Sequence, residues 1–356
     1  MNTLETKPII LDPSQKAVSK RLERLIHDSI VVEEYEEQLK ELFTVRHPAS
    51  KFNPTSVKLE ITQFLQSRAK KRPLSKEGRW IYYPWSKCLV HLLAPNEYFE
   101  LRTARNRNLI TEKEQKKFKK YKIGVVGLSV GNSAVLTLAL EGAENLRLAD
   151  LDILSLSNLN RIRAGIENIG ENKTTLAARQ IYELNPYAKL TLFSKGIEKN
   201  LNQFMSGLDI IVDEIDDVFM KIKLRLSAKK RQIPVVSAAD NGDNSIVDIE
   251  RFDLEPKRPI YHGLLKKINL NEIKHYNPAQ RIDLINKMVG MRYVTKRMKD
   301  SLSLVGKKIY SWPQLGGAAS LSGSAVVYAV RRIALGQRML SGKYSISLDR
   351  IFGNKD

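Results

Sequence analysis

Between Lys122 and Val236, continuous apolar runs of strand length alternate with segments of helical length, and this alternation leaves few folds open. Lys122-Ile123-Gly124-Val125-Val126 reads as a buried strand, followed by Gly127 to Gly131 and a helix from Asn132 to about Glu141. A second strand, Leu146 to Ala149, ends on Asp150. A helix from Lys173 to Leu184, strands around Leu190–Phe193 and Leu208–Val212, a helix from Val218 to Arg231 and the strand Val235-Val236 complete the series. Strands that are apolar throughout, rather than at every second residue, are covered on both faces. Helical connections between them imply right-handed crossovers, so the expected fold is α/β with a doubly wound, mostly parallel sheet. Beyond it lie strand-like Ile246–Phe252, a polar helical stretch over Pro278–Ser303, a small-residue helix over Gly316–Leu335 and Tyr344–Leu348, which alternates like an edge strand.

The chain has 356 residues, more than one core comfortably uses. Ahead of the alternating region, Val18, Leu22, Leu25, Ile26, Ile30, Val31 and Leu39 recur at helical spacing, which predicts one or two amphipathic helices over Ser14–Leu42. His47-Pro48 and Asn53-Pro54 punctuate the segment, and Lys58–Arg68 gives a further helix before Lys70-Lys71-Arg72-Pro73. Trp80–Tyr83, Leu89–Leu93 and Tyr98–Leu101 read as strands. The expected division is an α+β extension over residues 1–100 and the sheet domain over 101–356.

Apolar residues make up 42% of the chain, which excludes a disordered polymer. A single cysteine, Cys88, excludes an internal disulfide and a thiolate zinc cage, and its apolar surroundings read as those of a structural thiol. Met1–Pro13 carries acidic residues and no apolar core, and no 18-residue apolar run exists, so no signal peptide or membrane span is expected and a cytoplasmic location is. The net charge of +20 favours anionic partners.

Gly127, Ser129 and Gly131 lie in a strand-to-helix turn, where phosphate can approach backbone N–H groups at a helix N-terminus. Asp150, 23 residues on at a strand end, stands where an acid accepts hydrogen bonds from a ribose. Asp213 and Asp216 follow an apolar strand and so sit at the sheet's carboxyl edge; either suits Mg²⁺ held against phosphate. Arg161 and Lys173 would supply the cations that a triphosphate needs.

The run Leu148-Ala149-Asp150-Leu151-Asp152-Ile153-Leu154-Ser155-Leu156-Ser157-Asn158-Leu159-Asn160-Arg161, with Lys173 and then Val212-Asp213-Glu214-Ile215-Asp216-Asp217, resembles the ThiF and ubiquitin-activating-enzyme-like adenylyltransferases over roughly Arg102–Asp253. The resemblance implies a Rossmann-like domain that binds ATP with Mg²⁺ and activates a carboxylate, commonly a peptide or protein C-terminus, as an acyl-adenylate. It makes Asp150 the ribose ligand, with Asp152, Gly127, Ser129 and Gly131 around the nucleotide. Arg161 and Lys173 become phosphate cations, Asn158 positions the triphosphate, and Asp216 is the Mg²⁺ ligand. It also implies a homodimer in which an arginine crosses to the other copy, with Arg105 and Arg107 both candidates. No cysteine follows Asp216, so the resemblance is to the branch without a thioester relay.

Two other readings use the same residues. The basic clusters Lys113–Lys122, Lys229-Lys230-Arg231, Lys266-Lys267 and Lys296–Lys308 would suit RNA in a tRNA-modifying member, although without an aromatic platform they read first as solvated faces. An NAD(P)-binding protein would leave Arg161, Lys173 and Asp216 as surface residues. His27, His47, His91, His262 and His275 show no metal-ligand spacing; His262 follows the last sheet segments and reads as a hydrogen-bonded structural residue.

Overall fold

The computed structural model describes residues 6–52, 54–265 and 269–353, so the Asn53 break and the Lys266-Lys267 cluster lie outside the described residues. The chain forms two compact units, one of residues 1–115 with 182–187 and the other of 116–181 with 188–356.

The first unit contains β1 (Ile9–Leu11), α1 (Ser19–Asp28), β2 (Ile30–Glu33), α2 (Tyr35–Arg46), α3 (Pro54–Lys71), β3 (Arg79–Tyr83), β4 (Cys88–Leu92) and α4 (Pro95–Arg102). Its strands lie in the order β1-β3-β4-β2. The expected helical segment over Ser14–Leu42 is broken by β2, because the β-branched run Ile30-Val31-Val32 pairs in parallel with β4. Tyr98–Leu101 is a correction: it is helical, within α4. Pro95 at the first helical position starts the helix, and Tyr98 and Leu101, three residues apart, pack on the same cluster as Leu39 and Leu42.

α5 (Glu112–Lys120), whose first four residues belong to the first unit, leads into the second, which holds β5 (Lys122–Val126), α6 (Val130–Leu140), β6 (Asn145–Ala149), all but the last three residues of α7 (Lys173–Leu184), β7 (Lys189–Phe193), α8 (Leu201–Met205), β8 (Ile210–Asp213), α9 (Val218–Lys230), β9 (Val235–Asn241) and β10 (Asn244–Glu250). Then follow α10 (Leu270–Lys274), α11 (Pro278–Val289), α12 (Lys296–Leu304), α13 (Gly316–Leu335), β11 (Gly342–Ile346) and α14 (Leu348–Ile351). The sheet order is β11-β10-β9-β8-β5-β6-β7, parallel from β9 to β7, with β10 and β11 antiparallel. This is the Rossmann-like doubly wound arrangement.

From β5 the chain goes to β6 on one side and returns to β8 on the other, so the crossovers diverge at the carboxyl ends of β5 and β8. Open α/β sheets hold their ligands at such a switch point. The expected polar helix over Pro278–Ser303 is two helices, α11 and α12, parted where Gly290 adopts φ +82°. The small-residue helix α13 packs against α6 so closely that a Cβ on Gly323 would stand 2.6 Å from the Ser133 Cβ. Among the described residues, no helix is long and apolar enough to cross a membrane.

Candidate nucleotide site

A cavity of about 710 Å³ opens over the carboxyl ends of β5, β6 and β8, and Gly127, Ser129, Asp150, Asp152, Lys173 and Asp216 all line it. Gly127 has φ +84°, and a Cβ there would overlap the Glu214 carbonyl oxygen, so only glycine lets the β5 turn pass the end of β8. Ser129 stands at the N-cap position of α6 without a side-chain cap, and the first N–H groups of the helix lack intrahelical partners, as at every helix N-terminus. The Asp150 carboxylate accepts the Leu128 N–H at 2.6 Å and the Asp152 N–H at 2.8 Å, which ties the glycine turn to the end of β6. Burial pushes this carboxyl above its ordinary value, against those two N–H groups and the Lys173 charge. Lys173, the first residue of α7, donates to Asp152 Oδ2 at 2.9 Å, so its ammonium is held at the cavity wall by a carboxylate.

The two aspartates left open by the spacing differ sharply. Asp213 is fully buried, ion-paired with Arg225 and 3.4 Å from Lys221 Nζ. Asp216 is exposed at the cavity, with no hydrogen bond or ion pair among the described residues. It is therefore the carboxylate free to take a cation.

A second cavity of about 440 Å³ adjoins the first and shares Ser129, Glu214, Ile215 and Asp216 with it. Arg161 lines this second compartment and not the first. Its Nε donates to Ser129 Oγ at 2.9 Å, and its Nη1 to Asn160 Oδ1 at 2.9 Å and the Ser157 carbonyl at 3.2 Å. Arg161 is thus fixed beside the glycine turn, at the junction of the two cavities. Glu214, also at the junction, accepts the Ala238 N–H at 2.8 Å, and burial pushes its carboxyl up to about 8 against the Lys221 ammonium.

Two of the residues expected around the nucleotide line neither cavity. Gly131 sits in the first turn of α6, where a Cβ would meet Val125 and Glu214. Asn158 closes a capping box with Ser155 and accepts the Arg161 N–H at 3.0 Å, so it shapes the loop that carries Arg161. Arg105 and Arg107 belong to the other unit. Arg107 donates to the Val45 carbonyl at 3.0 Å and to Glu100, whereas Arg105 is exposed and has no partner among the described residues. His262 is structural, its Nε2 2.8 Å from Asp248 and its Nδ1 accepting from Arg258 at 3.1 Å. Cys88 lies on β4, and burial pushes its thiol up.

The sequence reading missed Lys195, Lys274 and Arg281, which line the first cavity from separate loops and helices, and Asp240, which lines the second. Only Asp240 had a usable signal, its place at the carboxyl end of β9. The polar and small run Ser237–Asn241 concealed how far that strand extends.

A model of the ThiF family matches residues 103–311. An uncharacterized protein of Mycobacterium tuberculosis, MT1398, is 39% identical over 78% of this chain, which spans 39% of that protein's length. The tRNA threonylcarbamoyladenosine dehydratase of Bacillus subtilis is 29% identical over 46% of this chain and 68% of its own. The molybdopterin-synthase adenylyltransferase of Haemophilus influenzae is 27% identical over 54% and 81%. The solved structure of the Escherichia coli tRNA N6-threonylcarbamoyladenosine dehydratase TcdA has a TM-score of 0.48 at 21% identity, covering 67% of this chain and 95% of that one. With the family's segment spanning strands β5 to β10, the glycine turn and the Asp216 loop, the chain belongs to the ThiF family.

Proposed function

We propose that this protein activates a carboxylate with ATP, forming an acyl-adenylate and releasing pyrophosphate. The observation that carries the reading is the convergence of Asp150, Lys173 and Asp216 on one cavity at the switch point of the sheet. Its relatives include an adenylyltransferase, and the family match covers the whole of this site.

Asp150 already holds the glycine turn through one lone pair on each oxygen, which leaves the others for ribose hydroxyls. The open N–H groups of α6 and the Lys173 ammonium take phosphate oxygens, with Lys173 exchanging its Asp152 partner for the ligand. Asp216 suits Mg²⁺, which binds through one or two carboxylates and the substrate's own phosphates; there it supplies charge neutralisation. In the reaction the substrate carboxylate oxygen attacks the α-phosphorus, a new P–O bond forms, and the bond to the pyrophosphate oxygen breaks. Arg161, fixed by Ser129, offers its remaining N–H groups to the charge that builds on the α-phosphate.

Cys88 takes no part, and the adenylate passes directly to its acceptor. The working unit is a homodimer: Ile153, Leu156, Ile166 and Ile169, all on the segment between β6 and α7, are exposed apolar side chains of the kind that self-association covers. Arg105, rather than the engaged Arg107, is the arginine available to the other copy. A carboxylate carried on tRNA is a second reading, favoured by Lys195, Lys274 and Arg281 at the cavity and by the tRNA-acting relatives. The test is pyrophosphate exchange into ATP with a panel of free acids, peptides and tRNA, with mass-spectrometric detection of the adenylate. Exchange that requires one of these is expected; tight ATP binding with no exchange would sink the proposal.

A further inference from the structure

The second compartment holds three cations, and each is already engaged. Arg161 donates to Ser129, Asn160 and Ser157, and to no carboxylate among the described residues. Lys221 donates to the Ile215 carbonyl at 3.0 Å and to Asp213. Lys343 is paired with Asp248, which also meets His262. The carboxylates are not balanced in the same way. Asp240 is 3% exposed and lines the same cavity, yet makes no ion pair among the described residues.

Its donors are neutral: Ser322 Oγ at 2.8 Å to Oδ1 and Gln314 Nε2 at 3.4 Å to Oδ2. Two of the carboxylate's roughly four acceptor positions are therefore filled, one of them by a long bond. Burial pushes the carboxyl up, and the charge of Arg161 only partly offsets this. A buried carboxylate that has no ion-pair partner is costly unless a ligand supplies a donor. Once a phosphate draws on Arg161, Asp240 is left with its two neutral donors alone.

The compartment's other walls suit the body of a small acid. Ile246, Ile285, Met288, Val289 and Trp312 are apolar or aromatic, and the volume of about 440 Å³ is that of one or two residues rather than a folded domain. We propose that this compartment receives the acid being activated, and that Asp240 selects acids carrying an N–H donor, an ammonium or an amide, close to the carboxylate. This rests on the activation reading above. The acid enters with its carboxylate toward Arg161 and Asp216 and its nitrogen toward Asp240, and the apolar wall takes its side chain.

The experiment is pyrophosphate exchange by the full chain with acids matched in shape: a short peptide and its ester-linked isostere, and an amino acid and its des-amino analogue. The N–H member of at least one pair should have a KM lower by about 10- to 100-fold, the range expected for a hydrogen bond to a charged group. The pair that shows the preference tells amide from ammonium. Asp240→Asn, which keeps an oxygen for Ser322, should abolish that preference, and Asp240→Glu should restore part of it; ATP affinity measured on both variants reports whether the fold and nucleotide site persist. Exchange that runs equally well with the isosteres, or a preference that survives in Asp240→Asn, would overturn this inference while leaving activation standing. Exchange with no acid at all would overturn both.

Discussion

At the residue scale, the site separates carboxylates that hold the fold from those that are free to act. Asp213 and Asp216 are three positions apart, and the sequence placed both at the sheet edge; what it could not show was Arg225, brought from α9 to neutralise Asp213. Asp213→Asn should therefore cost about 1.5–3 kcal/mol of stability in chemical denaturation, because it removes one of the two carboxylates paired with the buried Arg225 guanidinium, which keeps only Glu250 and Ser237. Asp216→Asn should change stability by no more than about 0.5 kcal/mol and abolish exchange activity. Asp248 gives a pH test. Burial would raise its carboxyl, but the His262 hydrogen bond and the Lys343 and Arg225 charges more than offset this and hold it well below its ordinary value. A depressed carboxyl stabilises the fold above its unfolded value of 3.8, and that stability is lost as pH falls through the folded value. The stability gap between the native protein and Asp248→Asn should accordingly be widest near neutral pH and narrow progressively below about pH 4 in urea titrations. Cys88→Ser should leave adenylate formation and product yield intact; loss of product with retained exchange would instead reveal a thiol relay. Asp150, Lys173 and Asp216 were legible because strand ends and motif spacing mark them. Lys195, Lys274 and Arg281 were not, since only tertiary folding gathers them, and Asp240 was hidden by the polar and small run that disguises the end of β9.

Elements tell a similar story of local signals and distant partners. Of the parallel strands, β5 and β8 could be read because each is a continuous apolar run, a texture that belongs to a sheet covered on both faces, whereas β6 and β7 alternate and were placed by the helices between them. Short or half-exposed elements were less legible. β2 is exposed along its whole length and becomes a strand only by pairing with β4, which lies more than fifty residues away. α4 looked like a strand because Tyr98 and Phe99 are good strand formers, and the Pro95 start with a shared helix face won. The small residues of α13 serve both core packing and the site. Gly323 lets α13 lie against α6, the helix whose N-terminus faces the nucleotide cavity, while Ser322 beside it holds Asp240. Gly323→Leu should force these two helices apart, lowering stability by about 1–3 kcal/mol in thermal melts and weakening ATP binding along with it. Stability loss with unchanged ATP affinity would mean that α6 keeps its place without α13.

For the whole molecule, the question is whether one copy suffices. The exposed apolar side chains between β6 and α7 argue for self-association, and the free Arg105 argues that the association is functional. These two ideas can be tested together by mixing inactive variants. Asp216→Ala removes the proposed metal carboxylate, and Arg105→Ala removes the proposed donated arginine, so each homodimer should be inactive alone. In a mixed dimer, the site of the Arg105→Ala copy keeps its own Asp216 and would receive Arg105 of the partner subunit. The other site would lack both groups. With random exchange of subunits, half the dimers are mixed and one site in each is complete, so about a quarter of native exchange activity should return. If Arg105 served its own site, every copy in the mixture would remain defective and nothing would return. Leu156→Glu, which places a charge on the apolar face, should then yield a monomer in sedimentation. That monomer should bind ATP normally and show the same loss of exchange as Arg105→Ala, because a complete nucleotide cavity without a second copy still lacks the arginine that neutralises the departing pyrophosphate.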